Sequence, residues 1–203
     1  MPSNKIKYGL DKLYYAPITA WDAQTGEPTY GTPVAIPGAR SISLSAEGDV
    51  NKWYADNIVY WSGEANNGYS GSFEVAMLPE AFKKDILGQA LDSKNVLYED
   101  MNAQTVHFAL MFQFKGDQKA IRHVLYNCTA SRPDMEGNTK EESIDPQTDT
   151  VEIECASVPV EISTGVFKDV VKGSSGDSTD STTYNGWFSA VYVPSGSPSA
   201  TTT

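Results

Sequence analysis

Arg40-Ser41-Ile42-Ser43-Leu44-Ser45-Ala46-Glu47 is the stretch on which the fold turns. Ile42, Leu44 and Ala46 alternate with Ser41, Ser43, Ser45 and Glu47, which is the two-residue period of a strand with one buried and one wet face. Residues 69–77 repeat the pattern, with Tyr69, Gly71, Phe73, Val75 and Met77 facing one way and Ser70, Ser72, Glu74 and Ala76 the other. Both wet faces are built of serine and glutamate. Strands of this kind belong to antiparallel sheets covered on one side.

Between these two strands lies a connection, 48–68, that carries Trp53, Tyr54, Ile58, Val59, Tyr60 and Trp61 together with Asp49, Asp56 and Glu64. It is far longer than a hairpin turn. Connections of this length are usually functional or disordered, and so many aromatics argue against disorder. The Trp and Tyr side chains suit anchors for a partner subunit, because aromatics offer large contact area at low entropy cost. They also suit stacking on sugars, as in β-sandwich carbohydrate-binding modules. Ile58 and Val59 are expected to pack into the core.

Further along the chain, Pro79 suits a first helical turn and Glu80 its positive end, so 79–90 is expected to be the one clear helix, with Phe82, Ile86, Leu87 and Ala90 as its apolar stripe. Residues 105–115 alternate strongly, with Val106, Phe108, Leu110, Phe112 and Phe114 on one face, and Gly116-Asp117 turns them into a second strand over 119–129. Residues 148–156 alternate again, with Val151, Ile153 and Cys155 inward and Glu152 and Glu154 outward. A strand over 13–19 precedes all of these. Pro159 disfavours a central position for 158–162. The Ser, Thr, Asp and Gly tract 174–183 is expected to be mobile; beyond it Tyr184, Trp187, Phe188 and Val191 sit at helical spacing. The expected organisation is a β domain over 1–172, a flexible linker over 173–183, a short docking segment over 184–193 and a disordered tail over 194–203.

The chain has 203 residues, 40% of them hydrophobic, with eleven Tyr, seven Phe and four Trp, which is enough for one substantial core. Its net charge is −11. DNA phosphates would be repelled unless the basic residues clustered, and they do not: Lys83-Lys84 and Lys119 with Arg122 and His123 are short groups diluted by acids. Residues 1–7 lack the apolar core of a secretory leader, and no later stretch has the roughly 18 consecutive apolar residues of a membrane span. A soluble product made in a cytoplasm is therefore expected. In that reducing setting Cys128 and Cys155, both in strand-like runs, are expected to be buried free thiols rather than a disulfide.

No phosphate loop, nucleophile elbow or pair of histidines at ligand spacing is present, so no enzyme activity and no cofactor are expected. His107 and His123 fall on adjoining strands without clustered zinc-ligand spacing. Glu141, Glu142, Asp145 and Asp149 offer hard oxygen ligands but lack EF-hand spacing, and are expected to form a solvated loop. Asn127-Cys128-Thr129 fits a glycosylation sequon, discounted for a strand of a cytoplasmic protein.

Taken in order along the chain, several stretches together resemble the major tail tube proteins of long, non-contractile-tailed phages of Gram-positive bacteria. They are Lys7-Tyr8-Gly9-Leu10, Tyr15-Ala16-Pro17-Ile18-Thr19, Tyr30-Gly31-Thr32-Pro33-Val34 and Ser43-Leu44-Ser45-Ala46-Glu47-Gly48. Tyr54-Ala55-Asp56-Asn57, Asn66-Asn67-Gly68-Tyr69, Phe82-Lys83-Lys84-Asp85-Ile86-Leu87-Gly88 and Ile121-Arg122-His123-Val124-Leu125-Tyr126-Asn127-Cys128 complete the set. The resemblance covers most of the chain, over 5–156 and less specifically toward residue 192. None of these pieces is a chemical motif; their joint order carries the resemblance.

The resemblance implies a mainly β fold, an antiparallel β-sandwich or partly rolled barrel with one flanking α-helix, related to type VI secretion tube proteins. It implies a virion structural protein that assembles as hexameric rings stacked into a tail tube, the conduit for DNA delivery. On the family pattern the long loop bearing Trp53, Tyr54, Asp56, Tyr60 and Trp61 contacts the neighbouring ring. Ser41, Ser43, Ser45, Ser70, Ser72 and Glu74 then become lumen candidates, with Glu152 and Glu154 as a second possible lining. The implied partners are further copies of the chain, a tail tape measure protein, and tail terminator and distal tail proteins. DNA passes through without specific binding, no membrane is involved, and the protein resides in the virion tail after synthesis in the host cytoplasm. The competing reading is a carbohydrate-binding or adhesin-like β-sandwich module.

Overall fold

The computed structural model describes residues 4–135, 137–139 and 146–196. In chain order the elements are β1 (Lys7–Trp21), β2 (Pro28–Tyr30), β3 (Val34–Ile36), β4 (Ala39–Glu47), β5 (Val50–Ala55), β6 (Ile58–Glu64) and β7 (Gly68–Val75). There follow α1 (Glu80–Asp85), β8 (Ala90–Leu91), β9 (Leu97–Tyr98), β10 (Phe108–Gly116), β11 (Ile121–Ala130), β12 (Asp149–Ala156), β13 (Val158–Ser163), β14 (Val166–Val170), β15 (Lys172–Ser174) and α2 (Ser181–Gly186). The chain is mainly β and its pairings are antiparallel. Nine strands form one sheet in the order β2-β1-β10-β11-β12-β7-β4, with β3 added against β1 and β15 against β11. The strands β5–β6, β8–β9 and β13–β14 form separate pairs, and among the described residues no sheet closes into a barrel.

The longest strand, β1, is irregular. Gly9 and Lys12 are extra residues in the β1–β10 ladder, falling at the register shifts between Tyr8 and Leu10 and between Asp11 and Leu13, and such bulges kink a strand and raise its twist. Strand β11 divides its partners in a similar way. Its first half pairs with β15 through His123–Leu125, and its second half with β12 through Asn127–Ala130.

Two cores result. On one face, Leu13 and Tyr15 of β1, Phe108 and Leu110 of β10, Leu125 of β11, Val151 and Ile153 of β12, and Phe73 and Val75 of β7 are buried together. Phe82 of α1 closes this core, with its ring edge-to-face against Tyr15, Phe73 and Phe108 at centroid distances of 5.1, 5.9 and 5.6 Å. On the opposite face Ala16, Ala109, Met111, Val124 and Tyr126 pack against Val158 and Val160 of β13 and Trp187. Strand β10 is therefore covered on both sides from Phe108 to Gln113. The consecutive Ala109-Leu110-Met111 is the trace of that double cover, since a strand with one wet face would not carry such a run.

Several expectations are corrected here. The helix stops at Asp85 rather than near residue 90, because Gly88 at φ +72° turns the chain and the Gln89 N–H reaches back to the Lys83 carbonyl at 3.1 Å. Ala90 and Leu91 then form β8. A second short helix, α2, is present, with the Asp180 carboxylate accepting from Thr183 N–H. The first strand is longer than 13–19. Met77 lies beyond β7 and is 74% exposed. The stretch 173–183 contributes Gly173 and Ser174 to β15 and a buried Ser175, whose hydroxyl accepts from Arg122 N–H at 2.9 Å.

Candidate functional site

Direct opposition across antiparallel strands puts side chains on the same face, so the register builds the wet surface residue by residue. Ser41 lies opposite Glu74 and Glu74 opposite Thr150; Ser43 opposite Ser72 and Ser72 opposite Glu152; Ser45 opposite Ser70 and Ser70 opposite Glu154. Thr129 of β11 continues the last row. All six serine-face residues named from the sequence thus share one surface. Glu152 and Glu154, read there as an alternative lining, belong to the same surface. The reverse side of the three strands is the first core, to which Ile42, Leu44, Phe73, Val151 and Ile153 contribute.

Hydroxyls and carboxylates are organised across this face. Ser41 Oγ donates to Glu74 Oε2 at 3.0 Å, Thr148 Oγ1 donates to Glu74 Oε1, and Arg40 pairs with the same carboxylate at 2.8 Å. These hold the Glu74 carboxyl below its usual range, the Thr148 hydroxyl first and the Ser41 hydroxyl next, with the Arg40 charge adding to them. Ser70 Oγ donates to Glu47. Arg40 is the bulged residue between Ala39 and Ser41, which swings its side chain onto the acidic face. With Glu47, Glu74, Glu152 and Glu154 against that one arginine, the face keeps a net negative charge. At one end it opens into a cleft of about 620 Å³ bordered by Glu47, Ser70, His107, Asn127 and Glu154.

The aromatic connection is not an irregular loop but the hairpin β5–β6. Asp56 and Asn57 form its tip with φ of 49° and 67°, the paired left-handed conformation of a tight two-residue hairpin turn. The hairpin also continues the β4–β7 ladder: Asn67 N–H donates to the Glu47 carbonyl at 2.8 Å and Ala65 N–H to the Asp49 carbonyl at 3.2 Å. Residues 39–75 are thus one long ribbon, with its near half in the sheet and its far half carrying the aromatics.

Trp53 lies directly opposite Trp61, and the Trp53 and Tyr60 rings meet edge-to-face at 5.8 Å. Trp53, Tyr54, Tyr60 and Trp61 are 57–68% exposed. Ile58 and Val59 are exposed as well, at 62% and 46%, which overturns their expected place in the core: the hairpin stands clear of the body and has no core to offer them. Outside the described residues lie Glu141, Glu142 and Asp145; Asp149 is placed at the start of β12, where its carboxylate accepts from Leu78 N–H at 2.7 Å.

The two histidines have different partners. His107 Nδ1 meets Asn127 Oδ1 at 2.6 Å, whereas His123 stacks on Phe112 at 5.0 Å. Burial, with Lys172 and Lys7 nearby, pushes the His123 imidazole down to about 4. Among the described residues no cluster of three or more His, Cys, Asp or Glu has metal-binding geometry. Sequence reading missed Arg40, Thr148 and Thr150 as members of the acidic face. Alternation signalled Glu47, but only the pairing of β12 with β7 brings in Thr150, and no local pattern encodes that pairing.

No family model matches the chain, and no curated protein matches it. Among solved structures it is similar to a chain of the cryo-EM structure of the anti-feeding prophage (AFP) baseplate, 6-fold symmetrised, at 10% identity. That likeness covers 88% of this chain and 99% of the other, with a TM-score of 0.47, a value too low to decide fold or function.

Proposed function

We propose that this chain is a virion structural protein that polymerises as stacked hexameric rings into a phage tail tube and catalyses no reaction. The observation that carries the reading is the ribbon 39–75. Its sheet half presents a continuous serine and glutamate surface, and its far half projects exposed aromatics from the same two strands. Among the described residues nothing pairs with the outer edge of β4, and an open edge of nine residues invites pairing with another chain. Ring closure satisfies that edge. The acidic surface then lines a channel through which DNA passes without binding, since attraction to phosphates would slow it. Trp53, Tyr54, Asp56, Tyr60 and Trp61 reach the adjacent ring, and tape measure, terminator and distal tail proteins meet the two ends of the tube.

Negative-stain electron microscopy of the purified chain at rising concentration tests the reading. Rings or rods with a dark central channel are expected, and particles that stay monomeric at every concentration, with or without a tube-initiating partner, would refute it. Trp53→Ala is expected to shorten or abolish tubes while leaving the fold intact, because an anchor truncated in a desolvated interface commonly costs about 2 kcal/mol or more. A glycan-binding module is the second reading, favoured by the cross-strand Trp53–Trp61 pair alone. It predicts saturable glycan binding lost in Trp61→Ala.

A further inference from the structure

Cys128 and Cys155 are the chain's two cysteines, and they are direct register partners in the β11–β12 ladder. Both are buried in the first core and neither is bonded. Their sulfurs are in direct contact across the ladder. Opposed Cβ atoms on antiparallel strands already lie near the separation that a disulfide spans.

We propose that this pair is an oxidative modification site, closing to an intramolecular cross-strand disulfide when the folded chain meets a peroxide. Cys155 reacts first: both thiols are buried in the core, but Cys155 keeps 3% exposure where Cys128 has none. The Cys155 sulfur attacks one peroxide oxygen, the O–O bond breaks, and the thiol proton leaves with the departing hydroxide as water. The Cys128 sulfur then attacks the resulting sulfenic sulfur, and the S–O bond breaks. The hydroxyl departs with the Cys128 proton as a second water. Two thiols lose two electrons and one peroxide becomes two waters. Burial and the neighbouring Cys155 hold the Cys128 thiol protonated, so closure is slow and awaits the sulfenic intermediate instead of competing with it.

The position of the pair gives the bond a structural consequence. Among the described residues, the ladder between the β12-β7-β4 part of the sheet and the β1-β10-β11 part runs over four register pairs, Asn127–Ala156, Cys128–Cys155, Thr129–Glu154 and Ala130–Ile153. This seam is shorter than the β1–β10, β12–β7 or β4–β7 ladders on either side of it. A disulfide at its centre staples the half that bears the acidic face to the half that bears α2. The inference concerns the folded chain itself and stands independently of whether it assembles.

The test takes the full chain, reduced and then freed of reductant, and exposes it to hydrogen peroxide before unfolding and alkylation. Intact mass spectrometry is expected to show a loss of two hydrogens with neither cysteine alkylated, and a non-reducing peptide map to link Cys128 to Cys155. Tm is expected to rise by on the order of 5–10 °C and to return with dithiothreitol. Cys128→Ala and Cys155→Ala should each abolish the linkage and the shift. The mapping of the unmutated chain decides the matter even if either variant fails to fold. Two alkylatable thiols after peroxide, sulfinic acid at Cys155 in place of a disulfide, or disulfide-linked dimers would each overturn the proposal.

Discussion

Three tyrosines, Tyr15 and Tyr126 buried and Tyr30 half-buried, offer a test in which one atom is deleted each time and the sign of the effect differs. The Tyr126 hydroxyl is buried in the second core and has no hydrogen-bond partner among the described residues. Burial, with Tyr192 nearby, pushes its ionisation well above the ordinary tyrosine range, so it is neutral and still unsatisfied. Leaving a buried hydroxyl unpaired costs about 1–3 kcal/mol, while each lost van der Waals contact of one oxygen is worth about 0.1–0.2 kcal/mol. Tyr126→Phe should therefore stabilise the chain by about 1–2 kcal/mol, raising Tm by roughly 2–8 °C for a domain of this size.

The other two are the controls. Tyr15 OH donates to Asp85 Oδ2 at 2.8 Å, so Tyr15→Phe removes a charge-assisted bond and should destabilise by about 1.5–3 kcal/mol. Tyr30 OH donates to the Tyr126 carbonyl at 3.1 Å, and Tyr30→Phe should cost about 1 kcal/mol. Urea titrations of the three variants give the signs directly. A further check lies at Gly173, where an added Cβ would stand 2.5 Å from the Tyr126 hydroxyl and 3.0 Å from Val124 Cγ1. Gly173→Ala should cost less in the Tyr126→Phe background, with a coupling of about 1 kcal/mol. Loss of stability in Tyr126→Phe would mean that the hydroxyl is satisfied, and the reasoning would fail.

Phe82→Ala should destabilise by about 3–5 kcal/mol, measured by urea titration, because one ring fills the space between Tyr15, Phe73 and Phe108. His123 provides a pH signature: its folded-state value is lowered to about 4 from 6.5, so the unfolded chain binds the proton more readily between those values. Its contribution is full above pH 6.5 and is lost as the pH falls toward 4; discounted for partial exposure it amounts to about 1–3 kcal/mol, and His123→Phe should flatten the urea midpoint across that window. Arg122 donates through Nε to Gln113 Oε1 at 2.9 Å and through its guanidinium to the Tyr184 carbonyl, and lies 3.8 Å from the Tyr184 ring centroid. Arg122→Ala should speed amide exchange across 181–193 while leaving β7 and β12 protected.

The sequence made some of this legible and hid the rest for identifiable reasons. β4, β7 and β12 each have one face on a core and one in water, so their alternation is strict and their inward residues could be named. β10 defeats that logic because Ala109 and Met111 are covered by elements from far along the chain, Val160 and Trp187 among them. Periodicity reports how wet a face is, not what covers it. The hairpin was legible as aromatic but not as strands, since Trp53, Tyr54, Ile58, Val59, Tyr60 and Trp61 are apolar on both faces and show no two-residue period. The acidic face was legible as two candidate linings. Their union depends on β12 pairing with β7, a contact between residues 74–86 positions apart that short-range pattern cannot specify.

That union bears on why the ribbon is built as it is. A two-stranded hairpin in water is marginal at best, and its far half here gains nothing from either core. Its near half is held by Ile42, Leu44, Phe73 and Val75, so the sheet supplies the rigidity with which β5 and β6 are held out from the body. An exposed set of two Trp, two Tyr, Ile and Val on a stiff arm is unfavourable for an isolated chain, because apolar area left in water forgoes roughly 25 cal/mol per Å². The same arm becomes favourable once a surface covers it, and the free edge of β4 beside it is subject to the same logic. Two separate costs on one ribbon are removed together by a neighbour, which is why association of this chain is expected to involve the edge and the hairpin jointly rather than either alone.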